Sequence, residues 1–392
     1  MWVGRRVALR SVPMRFELTE PTPAEEQLRR EVRQFLAEEL PPGSYRPGLG
    51  MGAGHDPAFS KKMAARGWVG MALPKRYGGH DRSAVDRFIV VEEMLRWGAP
   101  VGAHWVGDRQ TGSVIDRFGT EEQKERFLPA IASGECWFSI GMSEPDSGSD
   151  LASVKSRATR VEGGWLLNGT KVWTSGAHLN DWFVVLCRTS EDSEDRHAGL
   201  SQLIVDLRSP GLQINPIPYL DGSHHFNEVV LDDVFVPDDL VLGDVGMGWA
   251  QNTSELAYER GGPDRWLSTY YVTEQFVREH VGTDPGDAVA SVLGRLAARW
   301  SALHQLTLSV ARMIDQGAAP AVESALVKEM GTRFEQEVLS EIERLVDAEP
   351  SPDSPSLFEQ LLCEAILTAP SFTIRGGTIE ILRTVAAKGL RR

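Results

Sequence analysis

The stretch Trp165-Leu166-Leu167-Asn168-Gly169-Thr170-Lys171-Val172-Trp173 decides how the chain divides. Aromatic and β-branched residues flank Asn-Gly, the pair that supplies the positive φ angles of a tight primed turn, so the stretch predicts a β-hairpin. Short strands are expected to follow at 181–188, 200–206, 212–217 and 225–231, with turns at 208–211 and 219–223. Residues 137–246 are therefore read as a small antiparallel β domain.

Outward from this block the period becomes helical. On the N-terminal side, Thr22-Pro23-Ala24-Glu25 is a capping box with proline at the first helical position. Leu28, Val32, Phe35, Leu36 and Leu40 then recur at helical spacing until Pro41-Pro42-Gly43. Residues 57–67 and 83–97 read as helices, and Thr120-Glu121-Glu122-Gln123 is a second capping box. Beyond Gly246, helical stretches are expected at 248–262, 265–282, 287–315, 320–347 and 356–390, with a loop at 348–355. The expected fold class is mainly α with a β domain: an N-terminal helical domain (14–136), a middle antiparallel β domain (137–246) and a C-terminal helical bundle (247–392).

Composition narrows the function. Of 392 residues, 41 are basic and 55 acidic, a formal charge of −14, which excludes the net basic face of a nucleic-acid or anionic-membrane binder. Apolar residues at 42% and charged residues at 24% are globular values. No run of 18 apolar residues suits a membrane span. Cys136, Cys187 and Cys363 offer neither a disulfide framework nor a metal knuckle, so no metal is expected and a reducing, cytoplasmic setting is. The basic head with Arg5, Arg6 and Arg10 lacks the apolar core of a signal peptide, and Met14 reads as an alternative start.

Two segments carry chemistry. Phe138-Ser139-Ile140-Gly141-Met142-Ser143-Glu144-Pro145-Asp146-Ser147-Gly148-Ser149-Asp150 alternates small residues and hydroxyls with uncovered backbone amides, so it can approach a planar heterocycle or a phosphate closely. Trp173-Thr174-Ser175-Gly176 sets an aromatic beside two hydroxyls. Each alone is ordinarily a turn or core packing.

Together, Ser-Glu-Pro-x-Ser-Gly-Ser-Asp followed by Leu-Asn-Gly-x-Lys-x-Trp resembles the acyl-CoA dehydrogenase family over nearly the whole chain. The resemblance implies bound FAD and α,β-desaturation of an acyl-CoA thioester. Carried over by position, Ile140, Met142 and Ser143 line the flavin ring, Trp173, Thr174 and Ser175 cover its other edge, and Ser149 contacts the thioester's pantetheine or phosphate arm. Thr378 and Glu380 fall at positions beside the cofactor.

The family's reaction needs a carboxylate base for the α-proton as the β-hydride leaves. The commoner position of that base lies near the C-terminus, where this chain reads Ile374-Arg375-Gly376-Gly377-Thr378, and Gly376 has no side chain to serve. The alternative position lies on the first helix after the β domain, where Leu256-Ala257-Tyr258-Glu259-Arg260-Gly261-Gly262 offers Glu259. The resemblance thus implies Glu259 as base, with Tyr258, Arg260, Gly376 and Gly377 as substrate contacts. A glutamate at such a place is otherwise a solvated helix carboxylate.

Departures bear on the cofactor's adenine end. The family's Arg-x-x-Phe-Gly reads Arg278-Glu279-His280-Val281-Gly282 here, keeping the arginine for the flavin's phosphates but not the aromatic, and its Gln-x-x-Gly-Gly segment has no match. A split site would account for this. Gly102–Gln110 and Leu256–Thr269 resemble actinobacterial members that act on steroid side-chain thioesters as heterotetramers of unlike chains. The resemblance therefore implies lipid or steroid degradation and β-oxidation, an acyl-CoA substrate, an electron-transfer flavoprotein as acceptor, and a homo-oligomer or heterotetramer. An acyl-CoA oxidase and a non-catalytic or half-site subunit are the alternatives.

Overall fold

The computed structural model describes residues 16–52, 54–190, 195–280, 286–346 and 349–390; the side chains of residues 52, 255–259, 280 and 390 are outside that description, as is the basic head with Met14. Helices α1 (Pro23–Glu39), α2 (Pro57–Ala65), α3 (Ala84–Arg96), α4 (Gly102–Val106), α5 (Gly112–Phe118) and α6 (Glu121–Ala132) come first. Seven strands among the described residues follow: β1 (Phe138–Gly141), β2 (Arg157–Val161), β3 (Gly164–Ser175), β4 (Trp182–Arg188), β5 (Leu200–Asp206), β6 (Leu212–Pro218) and β7 (His224–Pro237). The last part holds α7 (Gly248–Glu259), α8 (Tyr270–His280), α9 (Gly286–Asp315), α10 (Ala321–Glu343), α11 (Leu357–Thr368) and α12 (Ile379–Leu390). The helix–β–helix order is as the sequence implies. No helix among the described residues is long and apolar enough to cross a membrane.

Both capping boxes form. The Thr22 hydroxyl accepts from Glu25 N at 3.3 Å while the Glu25 carboxylate accepts from Thr22 N at 2.9 Å, and Thr120 with Gln123 repeats the exchange. Helices α4 and α5 are joined by one π turn, Gly107–Thr111, so three segments make a continuous rod with a wide turn at its centre. Such turns alter the phase of the side chains and recur at functional sites.

Two readings of the middle block need correction. Asn168-Gly169 is not a hairpin turn: β3 runs straight through it, and the turn between β2 and β3 is at Glu162-Gly163, where Gly163 has φ +74°. Gly169 instead sits at a bulge with φ +147°, and a Cβ there would overlap the Ser156 hydroxyl, so close approach is what selects glycine. The sheet is also mixed rather than wholly antiparallel, because β1 pairs with β4 in parallel, Ile140 opposite Val184. The chain leaves β1, turns back through the β2–β3 hairpin and returns in β4 pointing the same way. Strand β7 is longer than expected, and the stretch 356–390 is two helices, broken at residues 369–378.

The cores do not follow the chain's three parts. One joins the first and last: Val32, Phe35, Phe59, Trp68, Phe88 and Trp105 pack in the same cluster as Trp266, Phe276, Phe334, Leu361 and Phe372. The other seats Ile115, Phe127 and Leu128 from α5 and α6 against Phe138, Phe183, Val205 and Val229 of the sheet.

Candidate active site

The two sequence segments with hydroxyls and small residues meet at the β1 and β3 ends. Val172 N donates to Ser143 O at 2.9 Å, and Ser139 Oγ donates to Ser175 O at 2.8 Å. Beneath them lies a buried ion pair. Lys171 Nζ is 2.8 Å from Glu144 Oε1 and 3.2 Å from Met142 O. Glu144 also accepts from Lys155 N at 2.6 Å and Ser156 N at 2.9 Å. Burial alone would raise the Glu144 carboxyl, but the Lys171 charge and hydrogen bond, with the amide donors, hold it below its ordinary value. The glutamate of one motif and the lysine of the other are thus partners, and they clamp Met142 and Ser143 onto β3. Sequence reading quoted both and missed the link; opposite charges in two otherwise small or apolar segments were the available signal.

Trp173 is the strained residue here. Its φ of +59° lies in the left-handed region, rare for a bulky residue, and the β3–β7 register shifts between Lys171 and Thr174. The bulge turns the indole outward, leaving it 56% exposed, and turns Thr174 inward, where its hydroxyl is buried and unpartnered among the described residues. Buried Asn227 fixes the bend by donating from Nδ2 to Thr174 O at 2.9 Å. Asn180 holds Phe138 O and Ser139 Oγ, both at 2.9 Å.

A second set forms where α7 ends. Arg260 Nε lies 3.4 Å from Gly376 O, and the buried ammonium of Lys328 donates to Gly377 O. Gly376 and Gly377 have φ of +62° and +95°, a pair of left-handed residues that ends the break between α11 and α12. The residue before them, Arg375, bonds Glu335 at 2.7 Å, Ser268 Oγ at 2.9 Å and Asp264 O at 3.3 Å. Burial raises the Glu335 carboxyl, with Arg375 and Ser268 opposing. Gly262 is fixed by sterics: a Cβ would overlap Asp264 Oδ1 and lie 2.6 Å from Arg109. The two candidate base positions of the sequence, 259 and 376, thus adjoin through Arg260. The side chains of Tyr258 and Glu259 are outside the described residues.

Family models now place the chain. The N-terminal, middle and C-terminal domains of acyl-CoA dehydrogenase match residues 22–135, 139–234 and 273–391. The chain belongs to the acyl-CoA dehydrogenase family. Acyl-CoA dehydrogenase FadE29 of Mycobacterium tuberculosis is 33% identical over 94% of this chain and 97% of its own. Acyl-CoA dehydrogenase IpdE1 of the same organism is 33% identical over 93% and 96%. A solved structure described as Tcur3481-Tcur3483 steroid ACAD superposes with a TM-score of 0.87 at 29% identity, covering 96% of this chain and 99% of that one. The ChsE4-ChsE5 complex from Mycobacterium tuberculosis gives 0.80 at 29% identity, covering 96% and 100%.

As an acyl-CoA dehydrogenase the chain is an oxidoreductase with FAD as cofactor. The first residue set fits that group: a buried hydroxyl lacks a partner at Thr174, an exposed indole stands beside it, and the facing backbone of Ile140, Met142 and Ser143 is clamped in place. Other expected contacts belong to neither set by hydrogen bonding among the described residues. Arg278 is on α8, half exposed and 2.8 Å from Glu274, whose carboxylate raises its pKa. Ser149 and Glu380 are exposed, and the Thr378 hydroxyl accepts from Ile381 N at 3.4 Å in the first turn of α12.

Proposed function

We propose that the chain desaturates a bulky acyl-CoA thioester between Cα and Cβ, with Glu259 as the base. When bound, FAD supplies the acceptor for the β-hydride. The chain's residues do the rest. The Glu259 carboxylate takes the α-proton, and the electrons of that C–H bond form the new double bond as the β-hydride departs. Thr174 and Ser175 offer hydroxyl donors to the cofactor's edge, and the Lys171–Glu144 clamp fixes the opposing wall. Ser149 contacts the thioester's pantetheine or phosphate arm.

The observation that carries this reading is the pairing of a bare Gly376 with the end of α7. The loop has no side chain at Gly376, and it is tied by its own carbonyl to the residue following Glu259. A proton acceptor on the helix and a bare glycine on the facing loop suit a wide acyl group. A half-site in a heteromer with a related chain is favoured by Arg278, which is half exposed on α8 and paired with Glu274. Electrons are then passed to an electron-transfer flavoprotein.

Glu259→Gln tests the assignment. The variant should keep its FAD and lose ~10²–10⁴-fold in dye-coupled turnover, the usual cost of losing a placed base. Turnover within twofold of the parent would remove Glu259 from the role.

A further inference from the structure

Four of the chain's nine histidines stand together beside the bend that carries Trp173. Elsewhere the rings find ordinary partners: His104 bonds Ser60 at 2.8 Å, His304 lies 2.6 Å from Glu92, and His197 lies 3.0 Å from Asp195. Here they meet one another. His178, in the turn after β3, and His224, at the start of β7, stack at 4.0 Å with 27° between their planes. His225 leans on Phe226 at 5.3 Å, and His55 meets Trp137 edge-on at 5.7 Å. The His225 ring feels the charge of the other three.

One of these rings reaches the cofactor wall through a single residue. Asn227 stands opposite Thr174 across the β3–β7 pair, just past the register shift that bends β3. It is fully buried, and its Nδ2 donates to Thr174 O at 2.9 Å and to His225 O at 3.3 Å. Two carbonyls fix which end of the amide is the nitrogen, so Oδ1 can only accept. His224 Nε2 therefore carries a hydrogen and donates to Oδ1 at 2.8 Å. The chain from His224 through Asn227 to Thr174 thus has each donor and acceptor assigned. Positions 224 and 227 face opposite ways on a regular strand. The β6–β7 register shift falls between Phe226 and His224 and turns His224 onto the side of Asn227. A bulge that re-aims one side chain in this way is a feature rather than a defect.

We propose that His224 is a positioning residue for the cofactor: acting through Asn227, it holds the Thr174 carbonyl, and with it the bend that sets Trp173 outward and Ser175 at the flavin's edge. The proposal rests on the placement of Trp173 and Ser175 against FAD given above and adds the residue that secures it.

The stack makes this hold sensitive to acid. A proton on each of two rings 4.0 Å apart sets like charges face to face. Burial, then the His224 charge, lowers His178 from its ordinary 6.5, with Asn227 opposing. Burial, then the other three rings, brings His225 to about 4, and burial, then His178, lowers His55. The neighbouring acids do little to offset this. Asp56 and Asp181 act on His55, and Arg208 takes Asp181 at 2.9 Å. Glu228 accepts from Asn215 at 2.9 Å, and Asp221 from Ser223 N at 2.8 Å. Groups lowered in the folded state stabilise it above their unfolded value, so the wall is firm at neutral pH and loosens as pH falls from 6.5 through these lowered values.

The test uses the purified FAD-loaded enzyme, with its partner chain if it has one. It reads the flavin's visible absorption and circular dichroism, the rate of FAD release, and unfolding by tryptophan emission. His224→Leu removes the donor, whereas His224→Gln keeps one for Asn227 Oδ1. His224→Leu should alter the flavin bands and quicken FAD release about 2- to 10-fold, the span of one lost hydrogen bond. His224→Gln should restore both. A purely structural contact would move the unfolding midpoint and leave the bands alone, so parent-like bands in His224→Leu overturn the proposal. A glutamine variant that behaves like the leucine one overturns it too. Ser175→Ala separates the two ideas. If it leaves the bands in place, the cofactor placement fails and the proposal with it; if it moves them and His224→Leu does not, the proposal alone fails. Should His224→Leu not fold, the parent decides: its flavin bands should change reversibly as pH falls from about 7.5 to about 5, and less so in His178→Asn. Bands constant over that range overturn the proposal.

Discussion

Replacing Lys171 by methionine isolates the ion pair beneath the cofactor wall. Its ammonium and the Glu144 carboxylate are 2.8 Å apart with side chains 0% and 6% exposed, so the change strands a buried anion. Breaking one partner of such a pair costs ~3–5 kcal/mol. Glu144 keeps two amide donors, Lys155 N and Ser156 N, which places the cost near the lower end. Loss of the bond to Met142 O adds about 1 kcal/mol, giving about 4 kcal/mol in all. Urea unfolding followed by flavin release and by tryptophan emission measures it. Removing the anion as well, in Lys171→Met with Glu144→Gln, should recover about 2 kcal/mol of the summed single costs, because neighbouring partners couple. The sign with pH follows. In the parent, Glu144 is held below 4.5, so its stabilisation is present at neutral pH and is lost on acidification through that lowered pKa. In Lys171→Met, burial raises the same carboxyl against only the Ser156 and Lys155 bonds, so the deficit should shrink as pH falls from 8 towards 5. A loss under about 1 kcal/mol, or additive single costs, would refute the account of why the two motifs travel together.

Arg278→Ala should lower FAD retention through dialysis without lowering the unfolding midpoint, since an exposed i,i+4 pair is worth only about 0.3–0.5 kcal/mol; unchanged flavin content would place the cofactor's phosphates elsewhere. His104, held neutral by burial at about 4 against an ordinary 6.5, makes the fold lose stability as pH falls from 6.5 through 4, by about 3 kcal/mol from this group. His104→Gln, which can still bond Ser60, should flatten that slope in urea titrations between pH 7 and 4.5; an identical slope would show that the histidine takes up its proton without cost.

What the sequence made legible were the features whose causes are local. The capping boxes at Thr22 and Thr120 need only residues three apart, and both form. The motif residues Met142, Ser143, Thr174 and Ser175 are found on facing segments because strand order carries them there. The misreadings have distant causes. Asn168-Gly169 looked like a turn, but Ser156 on the neighbouring chain segment is what requires the glycine. The break before α12 depends on Lys328 and Arg260 gripping Gly377 and Gly376 from helices far away in sequence. The pairing of Glu144 with Lys171 spans 27 positions and has no periodic signature.

The shared core of the first and last helices has a bearing on how the chain is made. Phe35, Trp68 and Phe88 share one buried cluster with Trp266, Phe276 and Phe372, which leave the ribosome much later. Domains that fold during synthesis do so from the front, each around its own interior. Here the leading helices must wait, with sticky surface uncovered, while the sheet forms behind them. Truncations that end after β7 should therefore precipitate rather than yield a tidy fragment, and production in cells should depend on chaperone supply more than the finished enzyme's stability would suggest.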